Sequence, residues 1–239
     1  IKSSAASDVY KRQEEGKYLP EIKRYDISTV KGSVIVKDFS AEKFKMHLKS
    51  NKVNVIKILP GGVVTAKDTA EIQLDENGEF VRNPEEDIVK VAVVERHQGT
   101  GNVACGFLKG YGIKEGAVAL SVAHDSHNII VVGDNDEEME FAVNSLIEQE
   151  GGIVLVKEGK VIESMPMPIA GLMSDQSGEW VDEKLTAIHA KAYEELGIAG
   201  DVEPVMTLCF MSLAVIPEVK LTDMGLFDVT TFSFIPVEA

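Results

Sequence analysis

The residues best suited to chemistry in this 239-residue chain lie between Ala123 and Asn135, AHDSHNIIVVGDN, where two histidines, two aspartates and a serine interrupt an apolar, β-branched run. Polar groups this dense between buried strands are costly unless they form a site, a turn or a satisfied network. His124, Asp125 and His127 are of the types that ligate transition metals. In an extended strand an offset of three points the two imidazoles to opposite faces, so they converge only if 124–127 is a turn; Asp125 and His127 share a face if the segment is extended. Three readings stay open. The segment is a polar turn whose side chains satisfy backbone groups, a pocket wall in which Ser126 and Asn128 join the histidines beside a neighbouring active site, or an independent metal site.

A second candidate is Glu95-Arg96-His97, which leaves the apolar run IVKVAVV at 88–94. Strand ends aim functional side chains at clefts, although a Glu-Arg pair here can equally tie down the loop that follows. Gly99, Gly101 and Gly106 suggest a phosphate loop, but their spacing is not that of a dinucleotide fingerprint and no Gly-Lys-Ser/Thr follows, so nucleotide binding of that kind is rejected. MPMPIAGLMSD at 165–175 can line a binding surface or simply pack a fixed loop. His47 and His189 fall on expected helices, at surface or flank positions. The chain has no HxH and no HxE followed by PCxxC, and its five histidines are scattered. A metal-activated hydrolytic centre needs several converging ligands, so this chain is not expected to assemble one alone, and no bound cofactor is expected.

The elements that must position these groups are legible in the pattern. Ser40 is placed to cap a short helix over AEKFKMHLK, with Phe44 and Leu48 on one face. Val53–Leu59 reads as a strand, Pro60-Gly61-Gly62 as a turn, Val63–Ala66 as a continuation, and Asp75–Gly78 as a hairpin turn. Ile88–Val94 is typical of a buried strand, and Ala117–Ala123 and Ile129–Val132 flank the histidines. Asp134 or Asn135 caps a helix with an acidic first turn, an apolar stripe of Met139, Val143, Leu146 and Ile147, and a stop at Gly151-Gly152. Ile153–Val156 and Val161–Ser164 form a hairpin, Glu179–Leu196 a second amphipathic helix, and Val205–Ile216 the last apolar strand. Strands with intervening helices, several joined by tight turns, imply an α+β fold: mixed or antiparallel sheet layers covered by helices.

Length allows one or two domains and burial of roughly 70% of the unfolded surface. The formal charge of −15 opposes a phosphate backbone, so no nucleic-acid partner is expected. No window reaches the length of a membrane span, so no membrane partner is expected either. Cys105 and Cys209 sit among apolar neighbours without a CxxC and read as buried, reduced thiols of a cytoplasmic protein. Residues 1–13 lack apolar periodicity and read as a non-native or disordered leader. Residues 14–39 read as a linker with edge strands.

From Glu14 onward the chain resembles the C-terminal domain of bacterial adenine deaminases. IVKVAVVERHQGTGN at 88–102, GFLKGYGIKEGAVALSVAHDSHNIIVVGDND at 106–136, MPIAGLMSD at 167–175 and PEVKLTDMGLFDV at 217–229 carry the resemblance. The resemblance implies residues 40–239 as that domain, with 14–39 leading from a preceding β-sandwich. It also implies a separate amidohydrolase barrel as this domain's partner, manganese or iron as the metal of the full-length enzyme, and adenine as its substrate. The reaction implied is hydrolysis to hypoxanthine and ammonia in purine salvage or catabolism. No barrel catalytic residue has a counterpart here, so the fragment is expected to be inactive alone, and a homo-oligomer is possible. The alternative is a non-catalytic assembly or lid module. The pocket candidates carried forward are Glu95, Arg96, His97, His124, Asp125, Ser126, His127 and Asn128.

Overall fold

The computed structural model describes residues 13–14, 17–18 and 26–239; the expected leader at 1–13 lies almost wholly outside them. Its centre is an eight-stranded sheet. The strands are β1 (Lys52–Ile58), β2 (Thr65–Glu71), β3 (Ile88–Val94), β4 (Val103–Lys109), β5 (Ala117–Leu120), β6 (Ile129–Gly133), β7 (Gly152–Lys157) and β8 (Lys160–Pro166), in spatial order β8-β7-β5-β6-β3-β4-β1-β2. Every pairing is antiparallel except β1 with β4, so the sheet is mixed, as an α+β fold requires.

Both faces are covered, which is why β3 is buried at every position. Val89, Val91 and Val93 join one core with Leu120, Ile130, Val132 and Leu155, under α2 (Gly178–Glu194), α3 (Pro204–Cys209) and a small sheet of β9 (Val219–Thr222), β10 (Gly225–Asp228) and β11 (Ser233–Phe234). Ala92 and Val94 face the other way, against Met139, Ala142, Val143 and Leu146 of α1 (Asp136–Glu148). The period-2 alternation of a strand thus feeds two separate cores. Lys90, on the α1 side and only 4% exposed, is held by the Phe44 carbonyl at 3.0 Å and by Asp136, the first residue of α1, at 2.7 Å. The Asn135 side chain caps α1 by accepting from the Glu138 amide at 2.8 Å.

Two expected elements differ. After Ser40 the chain makes only a four-residue 3-10 turn, Ala41–Phe44, because the amides of Met46 and His47 are taken by the Glu79 carboxylate at 3.0 Å each. Phe44 and Leu48 are still buried, but His47 is on no helix and has a left-handed φ of 48°. The apolar run 205–216 is not a strand; it opens with α3. Pro204 at the first helical position and Glu203, whose carboxylate accepts from the Met206 amide, are a helix start that the apolar composition hides. Residues 26–39, read as linker with edge strands, contain a short 3-10 turn, and Val34, Val36 and Phe39 pack on the α1 core.

Candidate functional site

Strand register builds the site. Ile129 lies opposite Val94 in the β3–β6 pair, and the antiparallel geometry continues past both strand ends, bringing 126–128 alongside 95–97. Arg96 is 1% exposed; its amide donates to Asn128 Oδ1 at 3.4 Å, and its Nε donates to the His127 carbonyl. Nη2 donates to the Ala170 carbonyl at 3.1 Å, so the guanidinium joins the HDSHN turn to the MPIAG loop. His97 Nε2 lies 2.7 Å from the Ser126 carbonyl oxygen. The same end of the sheet supplies Ser121, just beyond β5, whose hydroxyl donates to the Gly171 carbonyl at 2.6 Å and accepts from the Gly152 amide at 2.7 Å.

Glu95 and Arg96 do not pair with each other. Glu95 folds back on its own loop and accepts from the amides of His97, Gln98 and Thr100 at 2.6, 2.8 and 2.9 Å and from the Thr100 hydroxyl at 3.0 Å. Burial alone would raise its pKa, but these four bonds together hold it at about 2. The reading in which this segment ties down the following loop therefore describes Glu95 well, and it places the carboxylate away from any open surface.

Residues 124–126 form a turn, which lets the odd-spaced histidines converge: the rings of His124 and His127 lie 5.3 Å apart, centroid to centroid. His124 is also 4.8 Å from the Phe210 ring, and its amide donates to the Cys209 carbonyl at 2.8 Å. Burial lowers the His127 pKa first, and its neighbours His124 and Arg96 lower it further. Asp125, Ser126 and His97 are exposed, whereas Asn128 is buried and donates to Asp223 Oδ1 at 3.2 Å. Asp223, at the tip of the β9–β10 hairpin, is a partner that sequence reasoning missed; its signal was a lone acidic residue in the turn TDMG, contacting residues nearly a hundred positions away.

The arrangement can hydrogen-bond a polar partner across a rim of His97, His124, Asp125 and Ser126. Among the described residues no group of three His, Cys, Asp or Glu side chains could hold a metal, so the metal reading of HDSH finds no donor set. None of the four cavities characterised is lined by residues 95–97 or 124–128. His189 does lie on α2, where its Nε2 meets Glu203, and it takes no part in this rim. Cys209 is buried and Cys105 half-buried; burial pushes both thiols up to about 12, which makes them poor nucleophiles. No described helix is long and apolar enough to cross a membrane.

The model of the adenine deaminase C-terminal domain matches residues 62–233, well over half of the chain. The chain belongs to that family. It is also 67% identical over 226 residues to "Adenine deaminase 2" of Desulfotalea psychrophila, a match covering 95% of this chain and 39% of that relative. To "Adenine deaminase" of Ligilactobacillus salivarius it is 48% identical over 228 residues, again 95% of this chain and 39% of the relative. To "Adenine deaminase" of Bacillus velezensis it is 40% identical over 229 residues, 95% of this chain and 38% of the relative. The chain thus spans about two fifths of the length of the relatives it matches. All four segments that carried the resemblance overlap the matched region of this domain family, and three of them supply the Arg96, HDSHN and MPIAG contacts.

Proposed function

We propose that this chain is the C-terminal part of an adenine deaminase that, in its full length, converts adenine and water to hypoxanthine and ammonia. The observation that carries the reading is the 67% identity to a protein named adenine deaminase across 95% of the chain. Purine salvage or catabolism in the cytoplasm is the setting that goes with it. Manganese or iron, bound by an amidohydrolase barrel in the part of the relatives that this chain does not match, would supply a water activated near neutral pH. The described residues do not fit such a metal: His97 Nε2 is engaged by the Ser126 carbonyl, and His127 Nδ1 is buried. The contribution of this domain is instead the rim of His97, His124, Asp125 and Ser126, whose donors and acceptors complement those around a purine edge.

A second reading, a non-catalytic assembly or lid module facing the barrel or a second copy, is favoured by one observation: the rim residues line none of the cavities described above. One set of measurements separates them. The chain alone, assayed with manganese or iron, is expected to form no hypoxanthine above a metal-only control. In the full-length enzyme, His124→Ala and Asp125→Ala are expected to lower kcat/KM at least tenfold, about 1.4 kcal/mol, at unchanged metal content and melting temperature. Unchanged kcat/KM together with altered assembly would establish the second reading, and hypoxanthine formed by the chain alone would overturn the missing metal centre.

A further inference from the structure

Among the described residues seven non-glycine positions have a left-handed φ, and two of them, His127 at 53° and Ala170 at 57°, are the residues whose carbonyls accept from the Arg96 guanidinium. Left-handed backbone is unfavourable for residues with a Cβ and persists only where surrounding contacts hold it. The amides of both residues are held by other backbone groups, His127 by the Ala123 carbonyl at 2.6 Å and Ala170 by the Val30 carbonyl at 3.1 Å, and the contact that joins the two loops through their carbonyls is one buried cation. The guanidinium packs directly on Gly171: a Cβ added there, at φ 70°, would lie 2.8 Å from Arg96 Nη1, so one of the two must shift. Nη1 finds no hydrogen-bond partner among the described residues, and neither does His127 Nδ1. Among the described residues no carboxylate pairs with the guanidinium, so a buried charge is retained at a desolvation cost that an apolar side chain of similar size would avoid. What it secures is the relative placement of residues 124–128 and 167–173.

We infer that Arg96 is a positioning residue: by clamping the His127 and Ala170 carbonyls it sets the geometry of the His97, His124, Asp125 and Ser126 rim, without itself meeting substrate. The inference that this geometry matters to catalysis rests on the reading of the rim as a substrate-facing surface, whereas the clamp itself is a property of this chain. Lysine in place of Arg96 keeps the charge but cannot reach both carbonyls with a fixed planar fork. Gly171→Ala disturbs the same guanidinium from the opposite side with Arg96 intact.

Histidine side-chain nuclear magnetic resonance on the 239-residue chain tests the clamp directly, since the five histidines divide into His97 and His124 of the rim with His127 of the clamp, and two, His47 and His189, remote from both. Arg96→Lys and Gly171→Ala are both expected to shift the resonances of His97, His124 and His127 while leaving His47 and His189 in place. Arg96→Met, which removes the neighbouring charge, is expected in addition to raise the titration midpoint of His127. Resonances unmoved in both Arg96→Lys and Gly171→Ala would overturn the clamp.

In the full-length enzyme, Arg96→Lys is expected to lower kcat/KM at least tenfold, with metal content unchanged and with His124→Ala and Asp125→Ala assayed beside it. If those two rim variants lower kcat/KM while Arg96→Lys does not, the positioning role is refuted. If neither rim variant affects kcat/KM, the substrate-facing reading fails instead, and the resonance shifts still decide the clamp. Should Arg96→Lys not fold, Gly171→Ala carries both measurements.

Discussion

Replacing Glu95 by glutamine tests whether the loop after β3 is organised by a carboxylate. The side chain is 6% exposed and takes four hydrogen bonds from residues 97–100. Glutamine offers one acceptor oxygen in place of two, and its amide group would point donors at donors. The magnitude follows from linkage. A pKa held at about 2 in the fold against 4.5 outside it corresponds to about 3 kcal/mol of stability at neutral pH. Because the folded value is the lower one, this contribution is complete above the unfolded pKa and fades as pH falls from 4.5 towards 2. By pH 3 it should have dropped to about 1.4 kcal/mol. Urea unfolding of the wild-type chain and Glu95→Gln at pH 7 and pH 3 measures both numbers. The variant should be about 3 kcal/mol less stable at pH 7, and the gap should at least halve at pH 3. A loss below about 1 kcal/mol at pH 7, or a gap that does not change with pH, would refute the assignment of the loop's order to this carboxylate.

Two further buried charges make complementary predictions. Asp136→Asn leaves the Lys90 ammonium buried and without its carboxylate, and is expected to cost about 3 kcal/mol at pH 7; adding Lys90→Met should recover much of that loss, which a double-mutant cycle by urea unfolding would show. Lys220 is fully buried, donates to the Val63 carbonyl at 3.0 Å, and is pulled by burial from 10.5 down to about 8. The unfolded chain binds the extra proton between those values, so stability contributed at this position should rise by about 3 kcal/mol from pH 8 to pH 10.5, and Lys220→Met should remove that rise. Identical pH slopes in the two proteins would show that the amine is not desolvated.

Much of this molecule can be read from the order of its residues, because the decisive signals are local. The acidic first turn and glycine stop of α1, the β-branched run of β3 and the two-residue turn at Glu158-Gly159 each encode an element within a few positions. Their summed pattern implies an α+β sheet covered by helices. The odd spacing of His124 and His127 likewise stated its own condition, a turn, and the turn is there. Where local signals compete, the pattern misleads: the apolar run after Pro204 hides a helix start, and Glu79, more than thirty positions away, takes the amides that a longer helix after Ser40 would have used. The site itself is non-local. That Arg96 reaches His127 follows from the register of β3 against β6, and that it also reaches Ala170 follows from the exit of β8 at the same end of the sheet. Nothing near position 96 specifies either partner. Side-chain types and spacing could nominate ERH, HDSHN and MPIAG separately, but only the tertiary pairing could make them one structure, because hydrogen bonds and burial depend on distance in space, to which separation along the chain is no guide.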